Sequence, residues 1–488
     1  MNPRIFREYD IRGVAERDLP DDVVRAIGLV IGENASAGPG PVVVGRDCRL
    51  SSPRMFAALT DGIRVVADVV DIGIVPTPVA YFAQQHLLAA ATVMITGSHN
   101  PAEDNGLKIM VGEDTLHGGA IAAIGRRAAE LIGLPMQDLR GAISTSSVSE
   151  AYIARAVAEL RLGPRRPKVV VDAGNGAGGP TAVALYTELG FDVEPLYCTF
   201  DGRFPHHHPD PTQPENLADL IQAVKICGAE IGIALDGDAD RVGAVDATGR
   251  ILWGDQLMVL LGRAVLEEDP DATFVAEVKC SQTLYEALPS CEMWKVGHSL
   301  IKERMRATGA QLAGEMSGHL FFAHRWLGFD DGIYAGARLL ELLSKSDRTL
   351  AELAADLPEA INTPEIRIDC PDELKFDVVA RVTASLRDDP AVQDVVTIDG
   401  VRARFADGWG LVRASNTQPA LVVRCEARDH SALDEIRKTI EVHVADARRD
   451  DVVHDRHVHD RARDLCLESD CDCGLAIDHP GACAGPGR

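Results

Sequence analysis

The chain carries Ala-Thr-Val-Met-Ile-Thr-Gly-Ser-His-Asn-Pro at residues 91–101, an apolar run that turns polar at its end. The run predicts a buried strand, which Gly97 and Pro101 stop. Ser98 would then lie on a bent loop at a strand end, where α/β sheets place their active sites. A serine after a strand commonly caps a turn, and this one is also a candidate nucleophile. The segment alone leaves both roles open.

A second stretch, Ala-Glu-Ile-Gly-Ile-Ala-Leu-Asp-Gly-Asp-Ala-Asp-Arg at residues 229–241, joins an apolar run to three aspartates. Asp236, Asp238 and Asp240 alternate with small residues, so an extended loop would turn all three carboxylates to one side. Ligands that are all oxygen suit a hard divalent cation such as magnesium, with a phosphate oxygen completing its shell. A solvated acidic turn is the alternative, but it requires neither the alternation nor an arginine directly after it, here Arg241.

With both stretches in view, the chain resembles the α-D-phosphohexomutases, specifically their bacterial phosphomannomutase/phosphoglucomutase branch. Four further motifs support the resemblance and follow one another in the family's order. They are Phe-Arg-Glu-Tyr-Asp-Ile-Arg-Gly at 6–13, Asn-Gly-Leu-Lys-Ile at 105–109, Gly-Glu-Met-Ser-Gly-His at 314–319 and Arg-Ala-Ser-Asn-Thr-Gln-Pro at 413–419. The likeness covers nearly everything from Phe6 to the region of Ala447.

The resemblance implies an α/β fold with three related mixed α/β domains and a smaller α+β C-terminal domain around a central cleft. It implies that Ser98, Asp236, Asp238 and Asp240 hold one magnesium ion per chain. The catalytic residues that it implies are Ser98, Lys108, Arg12, His99 and Arg241. The substrate-binding residues that it implies are Tyr9, Lys279, His298, Glu315, Ser317, His319, Arg413, Ser415, Asn416 and Thr417.

The activity implied is the interconversion of hexose 1-phosphate and hexose 6-phosphate of mannose, glucose or both. Phosphorylated Ser98 would give its phosphoryl group to O6 or O1 of the sugar and form a hexose 1,6-bisphosphate. The bisphosphate would turn over in the cleft and return its other phosphate, and supplied free it would be an activator. Lys108 would handle the proton, with Arg12 or His99 as helpers. A monomer is favoured.

Apolar strands alternate with amphipathic helical stretches along the chain, which is typical of α/β architecture. We predict domains at residues 1–145, 146–250, 251–362 and 363–448, with a hinge at Pro364. Residues 449–488 form a predicted mobile tail, because their apolar content is low and their end is rich in glycine and proline. The tail's irregularly spaced cysteines and histidines leave a zinc site as the alternative, among them Cys466, Cys471, Cys473, Cys483, His454, His457, His459 and His479.

The composition agrees with a cytoplasmic enzyme. A formal net charge of −25 counts against nucleic acid as a partner, and no apolar run is long enough to span a membrane. The N-terminus lacks the long apolar region of a secretion signal. A dianionic sugar phosphate then requires positive charge gathered locally in the cleft. The candidates are Arg12, Lys108, Arg241, Lys279, Lys302 and Arg413.

Other features have structural interpretations. The glycine-rich turn at residues 173–178 lacks the full dinucleotide-binding spacing, and the three histidines at 206–208 lie among prolines, which favours an exposed rigid loop over a metal site.

Three other functions remain open. A phosphoglucosamine mutase usually has Gln where this chain has Met316; a phosphatase with Asp236 as nucleophile would leave Ser98 without a role. A non-catalytic sugar-phosphate binder needs no nucleophile.

Overall fold

The protein is described from a computed structural model, which covers residues 1–36, 38–135, 138–357, 360–416 and 418–468, with side chains through residue 449. The described chain forms four β-sheets, each with its own helices, in agreement with the predicted α/β multi-domain fold. Within these ranges, no helix combines the length and the apolar character that a membrane crossing demands.

The first sheet is built around the apolar run that precedes Ser98. All five residues of strand Ala91–Ile95 are buried; Met94 packs into one hydrophobic cluster, while Val93 and Ile95 pack into another on the opposite face. Burial on both faces explains why the run lacks polar alternation. The strands are β1 (Ile11–Val14), β2 (Val42–Arg46), β3 (Val69–Ile74), β4 (Ala91–Ile95), β5 (Asp104–Val111), β6 (Asp114–Thr115) and β7 (Ile143–Thr145). The helices are α1 (Ala15–Asp18), α2 (Asp21–Ala35), α3 (Ser52–Ile63), α4 (Thr77–His86) and α5 (Gly119–Leu131), after a 3₁₀ turn at Pro3–Ile5.

Strand β3 begins later than the sequence predicts. The apolar run at residues 64–70 predicts a strand, but the strand covers only Val69–Ile74. Ile63 and Val65 are buried where α3 ends, so the apolar residues of a helix end and of a strand follow one another almost without a break. Periodicity over such a short run cannot separate the two.

The second sheet carries the aspartate loop. Its central strand, Ile231–Leu235, is wholly buried and pairs antiparallel with Val242–Asp246, so the chain must turn back at residues 236–241. The strands are β8 (Val169–Asp172), β9 (Val193–Leu196), β10 (Ile231–Leu235), β11 (Val242–Asp246) and β12 (Ile251–Leu252). The helices are α6 (Ser149–Glu159), α7 (Gly179–Glu188) and α8 (Ala218–Cys227), with a 3₁₀ turn at Pro214–Leu217.

The third sheet is mixed, in the strand order β14-β13-β15-β16. Its strands are β13 (Phe274–Glu277), β14 (Cys291–Trp294), β15 (Leu312–Gly314) and β16 (Leu320–Phe322). Its helices are α9 (Gly254–Glu268), α10 (Gln282–Ala287), α11 (His298–Thr308), α12 (Gly332–Lys345) and α13 (Leu350–Ala354). The residues between β15 and β16 form the loop predicted to contact the sugar.

The fourth sheet is antiparallel, and two helices share its hydrophobic core through residues such as Val378 and Ile440. Its strands are β17 (Ile361–Asn362), β18 (Ile366–Asp369), β19 (Asp394–Val396), β20 (Val401–Arg404), β21 (Gly408–Ala414) and β22 (Ala420–Ala427). Its helices are α14 (Lys375–Arg387) and α15 (His430–Glu468).

The predicted tail from residue 449 begins inside α15, whose backbone is helical through Glu468. The tail residues Cys471, Cys473, Cys483 and His479 lie outside the described residues. The bounds of the four predicted domains and of the tail stay predictions, and so does a metal site in the tail.

Candidate active site

Ser98 lies at the carboxyl end of β4 in a left-handed backbone conformation, with φ of +49°. This conformation is unfavourable for a side chain larger than glycine, and it turns the hydroxyl away from the strand axis. The Ser98 hydroxyl donates to Asp236 Oδ2 at 2.8 Å and lies 3.0 Å from Nδ1 of His99. Burial, followed by the charges of Arg241 and Arg12, lowers the pKa of His99 well below its usual value. Ser98 therefore faces the aspartate loop beside a neutral imidazole.

The three aspartates converge through a turn. Ala239 has φ of +59°, and the chain reverses between β10 and β11, so the prediction of an extended loop is wrong. The carboxylates nevertheless share one side. One oxygen each of Asp236, Asp238 and Asp240 lies within 4.8 Å of the others, and all three side chains are fully buried.

The charge of this group fits a divalent cation. Asp238 Oδ1 and Asp240 Oδ1 are buried and accept no hydrogen bond from the described residues. Burial raises the pKa of Asp236 well above its usual value, and the charges of Asp238 and Asp240 raise it further. Buried carboxylate oxygens without donors are costly unless a cation compensates them. The residues present therefore suit an ion that takes oxygen ligands.

Lys108 on β5 is the cation nearest to the aspartates. Its Nζ donates to Asp238 at 2.6 Å and to Asp240. Burial alone would lower the pKa of Lys108, but these carboxylates raise it well above its usual value, so the amine keeps its proton. Arg12 stands nearby and donates to Asn100 Oδ1 at 2.9 Å.

The predicted sugar loop is held by internal hydrogen bonds. Glu315 accepts from the backbone N–H of Gly297 at 2.7 Å and from the Ser317 hydroxyl at 3.2 Å. The Nε–H of Arg241 donates to Nε2 of His319 at 3.0 Å, which connects this loop to the aspartate loop. These contacts bring the third sheet's loop next to the metal-binding turn.

Tyr9 joins the first, third and fourth domains. Its hydroxyl donates to the Val296 carbonyl at 2.6 Å and contacts the side-chain amide of Asn416, and its ring packs edge-on against His298 at 5.9 Å. A Cβ at Gly297 would lie 2.4 Å from the Tyr9 ring, so the close approach depends on that glycine. Tyr9 thus contacts two other residues of the predicted substrate-binding set, His298 and Asn416.

The predicted phosphate loop leaves β21 with its arginine buried. Arg413 pairs with Asp399 at 3.0 Å, and the Ser415 hydroxyl accepts from the Gln418 N–H at 3.2 Å. Thr417 lies outside the described residues. The structure therefore brings Arg413, Ser415 and Asn416 to the same seam between domains.

Lys279 contacts the predicted hinge. Its Nζ donates to Glu365 at 3.3 Å, and the positive charge of Lys279 lowers the pKa of Glu365 to about 2. The backbone carbonyl of Lys279 accepts from Arg424 of the fourth sheet at 2.6 Å. Lys279 is therefore fixed where the third and fourth domains meet.

Four family models match the chain in order, at residues 3–127, 150–249, 253–361 and 365–442. They describe the phosphoglucomutase/phosphomannomutase alpha/beta/alpha domains I, II and III and the C-terminal domain. The phosphomannomutase/phosphoglucomutase of Pseudomonas putida is 46% identical over 443 residues, which cover 89% of this chain and 94% of that protein. The chain belongs to the phosphoglucomutase/phosphomannomutase family. It is a hexose phosphate mutase, as the sequence predicts.

Two further relatives support the assignment of this chain to the phosphoglucomutase/phosphomannomutase family. A phosphoglucomutase of Neisseria gonorrhoeae is 44% identical over 440 residues, covering 89% of this chain and 95% of that protein. The crystal structure of a phosphoglucomutase/phosphomannomutase family protein from Burkholderia thailandensis superposes with a TM-score of 0.85 at 41% identity, covering 92% of this chain and 98% of that one. The acidic, buried metal-binding group described above is in keeping with a metal-dependent family.

None of the sequence motifs contains Asp330, a fully buried carboxylate beneath the predicted site. It lies 2.8 Å from Nζ of Lys302, and its Oδ2 is 3.4 Å from Nδ1 of His319 and 3.6 Å from Nδ1 of His298. Since Arg241 donates to Nε2 of His319, the hydrogen-bond pattern assigns that ring's proton to Nδ1, facing Asp330. Asp330 therefore pairs with Lys302, which the sequence counted among the positive charges of the cleft, and lies beside both histidines.

Thr77 was also missed. Its hydroxyl donates to Asp238 Oδ2 at 2.5 Å, and its N–H donates to the Asp238 carbonyl at 2.8 Å. The Thr-Pro pair after β3 predicts only the start of a helix, which is also present. The paired aspartates that follow Phe329 were a signal for Asp330, because consecutive acidic residues after an apolar run need partners when buried.

Proposed function

We propose that this family member interconverts the 1- and 6-phosphates of glucose and mannose through a phosphoserine at Ser98 and a hexose 1,6-bisphosphate. The observation that carries the proposal is the buried hydrogen bond of 2.8 Å from the Ser98 hydroxyl to Asp236, within the group of three carboxylates. A serine that only capped a turn would donate to local backbone, not to a carboxylate 138 residues away.

We propose magnesium as the ion, one per chain, held by Asp236, Asp238, Asp240 and an oxygen of phosphorylated Ser98. When bound, the ion supplies positive charge that offsets the negative charge of the transferring phosphoryl group. Two unpartnered carboxylate oxygens support this assignment. The choice of magnesium rests on the all-oxygen donor set.

The remaining steps use side chains of this chain. The bond between phosphorus and Ser98 Oγ breaks, a bond from phosphorus to the sugar oxygen forms, and the sugar hydroxyl loses its proton. Lys108 and Arg241 add positive charge where negative charge develops. Lys108 is the proposed proton-handling group, because its ammonium reaches the aspartates beside Ser98. It would give a proton to Ser98 Oγ as that oxygen leaves phosphorus, and the amine so formed would take the proton of the sugar hydroxyl. His99 and Arg12 flank the same loop.

The non-reacting part of the substrate is proposed to bind to residues of the first, third and fourth domains. Glu315 and Ser317 are proposed to hydrogen-bond sugar hydroxyls, with His298, His319 and Tyr9 beside them. The group proposed to hold the second phosphate is Lys279, Arg413, Ser415, Asn416 and Thr417. Arg413 suits this role because its planar fork matches phosphate oxygens. The bisphosphate is the proposed activator, and a monomer in the cytoplasm remains the expectation from sequence.

Purified protein tests the proposal. We expect phosphoglucomutase and phosphomannomutase activity with a trace of glucose 1,6-bisphosphate, low activity with glucosamine 1-phosphate, and one phosphate on the peptide that contains Ser98. Phosphate on Asp236 would favour a phosphatase mechanism. Preferential turnover of glucosamine 1-phosphate would favour the phosphoglucosamine mutase alternative.

Glucose and mannose phosphates are expected to be used comparably. The Glu315-Met316-Ser317 triplet offers hydrogen bonds to positions that both sugars share, and nothing in the triplet itself distinguishes the C2 epimers. The measurement is kcat/KM for each 1-phosphate, with values expected within about tenfold of one another. A preference of several orders of magnitude would reveal a group that contacts C2.

Replacing Arg413 by alanine is expected to raise KM for hexose 1-phosphate by about 10- to 100-fold, because a charge-assisted fork to phosphate is lost. Phosphorylation of Ser98 should persist, since Arg413 lies on the fourth sheet. Arg404→Ala is the matched control, because Arg404 lies on the neighbouring strand and its exposed side chain donates to the side chain of Gln393 at 2.7 Å. An unchanged KM in Arg413→Ala would remove this arginine from the site.

A further inference from the structure

Arg49 is a fully buried arginine behind the Ser98 loop, and it uses all five of its N–H groups. Its Nε donates to Asp47 at 3.1 Å. One terminal nitrogen donates to the carbonyls of Ser98 and Asn100, each at 2.7 Å. The other donates to the carbonyl of Asp104 at 3.0 Å and to that of Pro101. A guanidinium has five donors in one plane, so none is left over.

His208 reaches the same loop from the second domain. Its Nε2 contacts the carbonyl of His99, the one carbonyl between Ser98 and Pro101 that Arg49 does not take. The four consecutive carbonyls of residues 98–101 therefore each contact a side chain from outside the loop. The histidine loop is thus not merely an exposed rigid segment.

The surroundings are shaped to admit this arginine. A Cβ at Gly97 would lie 2.6 Å from the Arg49 guanidinium carbon, so only glycine fits there. Phe204, from the second domain, covers the guanidinium at 5.1 Å, and Asp47 also accepts from the Gly97 N–H at 3.3 Å. A buried cation is expensive, and this one has a single carboxylate partner. The hydrogen bonds from Arg49 to four backbone carbonyls compensate for the loss of its hydration.

We propose that Arg49 and His208 are positioning residues that fix the Ser98 loop for phosphoryl transfer. Neither touches the substrate. By binding the carbonyls on the far side of the loop, they keep Ser98 in its left-handed conformation and turn the negative ends of the carbonyl dipoles away from the phosphoryl group. This inference rests on the proposed role of Ser98, and it adds two residues that the family motifs do not contain.

Arg49→Lys tests the first residue, because lysine keeps the charge but presents its donors from a single point. We expect kcat to fall about 100-fold, as misplacement of a reacting group by about 1 Å does, while KM stays within about threefold. Arg54→Lys is the matched control: Arg54 donates to the carbonyls of Ala15 and Leu19 in the same domain, at 2.9 and 3.2 Å. Wild-type kcat in folded Arg49→Lys, or an equal loss in Arg54→Lys, overturns the proposal for Arg49.

Two variants of His208 provide a test that does not depend on changing the core. Glutamine can still donate an N–H to the His99 carbonyl, whereas leucine cannot. We expect kcat to fall about tenfold in His208→Leu, the equivalent of about one hydrogen bond, and to recover in His208→Gln. Equal kcat in the two variants overturns the role of His208. If Arg49→Lys fails to fold, this pair decides the proposal.

Phosphopeptide mapping separates this inference from the proposed function. Phosphate on Ser98 in the wild-type protein, together with normal kcat in the Arg49 and His208 variants, overturns the positioning role alone. Absence of phosphate from Ser98 in active wild-type protein overturns the proposed function, and the inference with it.

Discussion

Ser98→Ala is expected to lower kcat by at least about 10³-fold, the largest effect of any single substitution in this chain. Alanine removes the oxygen that is proposed to carry the phosphoryl group, and no other hydroxyl donates to Asp236 among the described residues. Binding of sugar phosphate should persist, because the residues proposed to hold it, Tyr9 apart, belong to the third and fourth domains. Initial rates and calorimetric titration with glucose 1-phosphate measure the two quantities separately.

Ser290→Ala is the matched control for this experiment. Its hydroxyl also lies on a loop and donates to one backbone carbonyl, that of Ala272, at 2.9 Å, away from the site. We expect wild-type kcat and no loss of bound phosphate in this control. Normal turnover by Ser98→Ala would end the phosphoserine mechanism.

Asp238→Asn is expected to weaken magnesium binding by about 100-fold and to lower kcat by about 10³-fold. The substitution removes one of three negative charges, and this charge belongs to one of the two carboxylates that pair with the ammonium of Lys108. Calorimetry with magnesium measures the affinity independently of activity. Treatment with a chelator should silence the wild-type protein, and added magnesium should restore it.

Asp246→Asn is the control at the other end of the same hairpin. Asp246 is buried and accepts from the backbone N–H groups of Thr248 and Arg250 at 2.8 and 3.0 Å, so its loss should lower the free energy of unfolding by about 1–3 kcal/mol. Its magnesium affinity should equal that of the wild type. Equal magnesium affinity in Asp238→Asn and the wild type would remove Asp238 from the proposed ligand set.

The strands that position the site were predictable because their burial is local information. Apart from Thr92, residues 91–95 and 231–235 are apolar or glycine, and both are central strands with two covered faces. The positive φ angles of Ser98 and Ala239 were not predictable, because residues of these types rarely adopt them without constraints from elsewhere in the fold. The sequence therefore predicted correctly that the three aspartates lie together, but it predicted an extended loop where the chain makes a turn.

The supporting residues were hidden for a different reason. Arg49 and Asp330 act on groups that are 49 to 55 and 11 to 32 residues away, respectively, and nothing in their own neighbourhoods specifies those partners. An arginine before a helix or an aspartate in a pair of aspartates has many ordinary explanations. Local patterns identify residues that contact a ligand in a motif, whereas residues that hold the motif in place depend on tertiary contacts.

The hydroxyl of Tyr9 links three domains over a site in which Ser98 is only 2% exposed. At that exposure a hexose phosphate cannot reach the Ser98 hydroxyl, so the groups around it must move apart before a reactant enters or a product leaves. In the proposed cycle the bisphosphate is for a time held by no covalent bond to the chain, and its escape would leave the protein unphosphorylated and inactive. The time that the site stays closed would therefore set how many rounds are completed before one is abandoned, and free bisphosphate would rephosphorylate the protein molecules left behind.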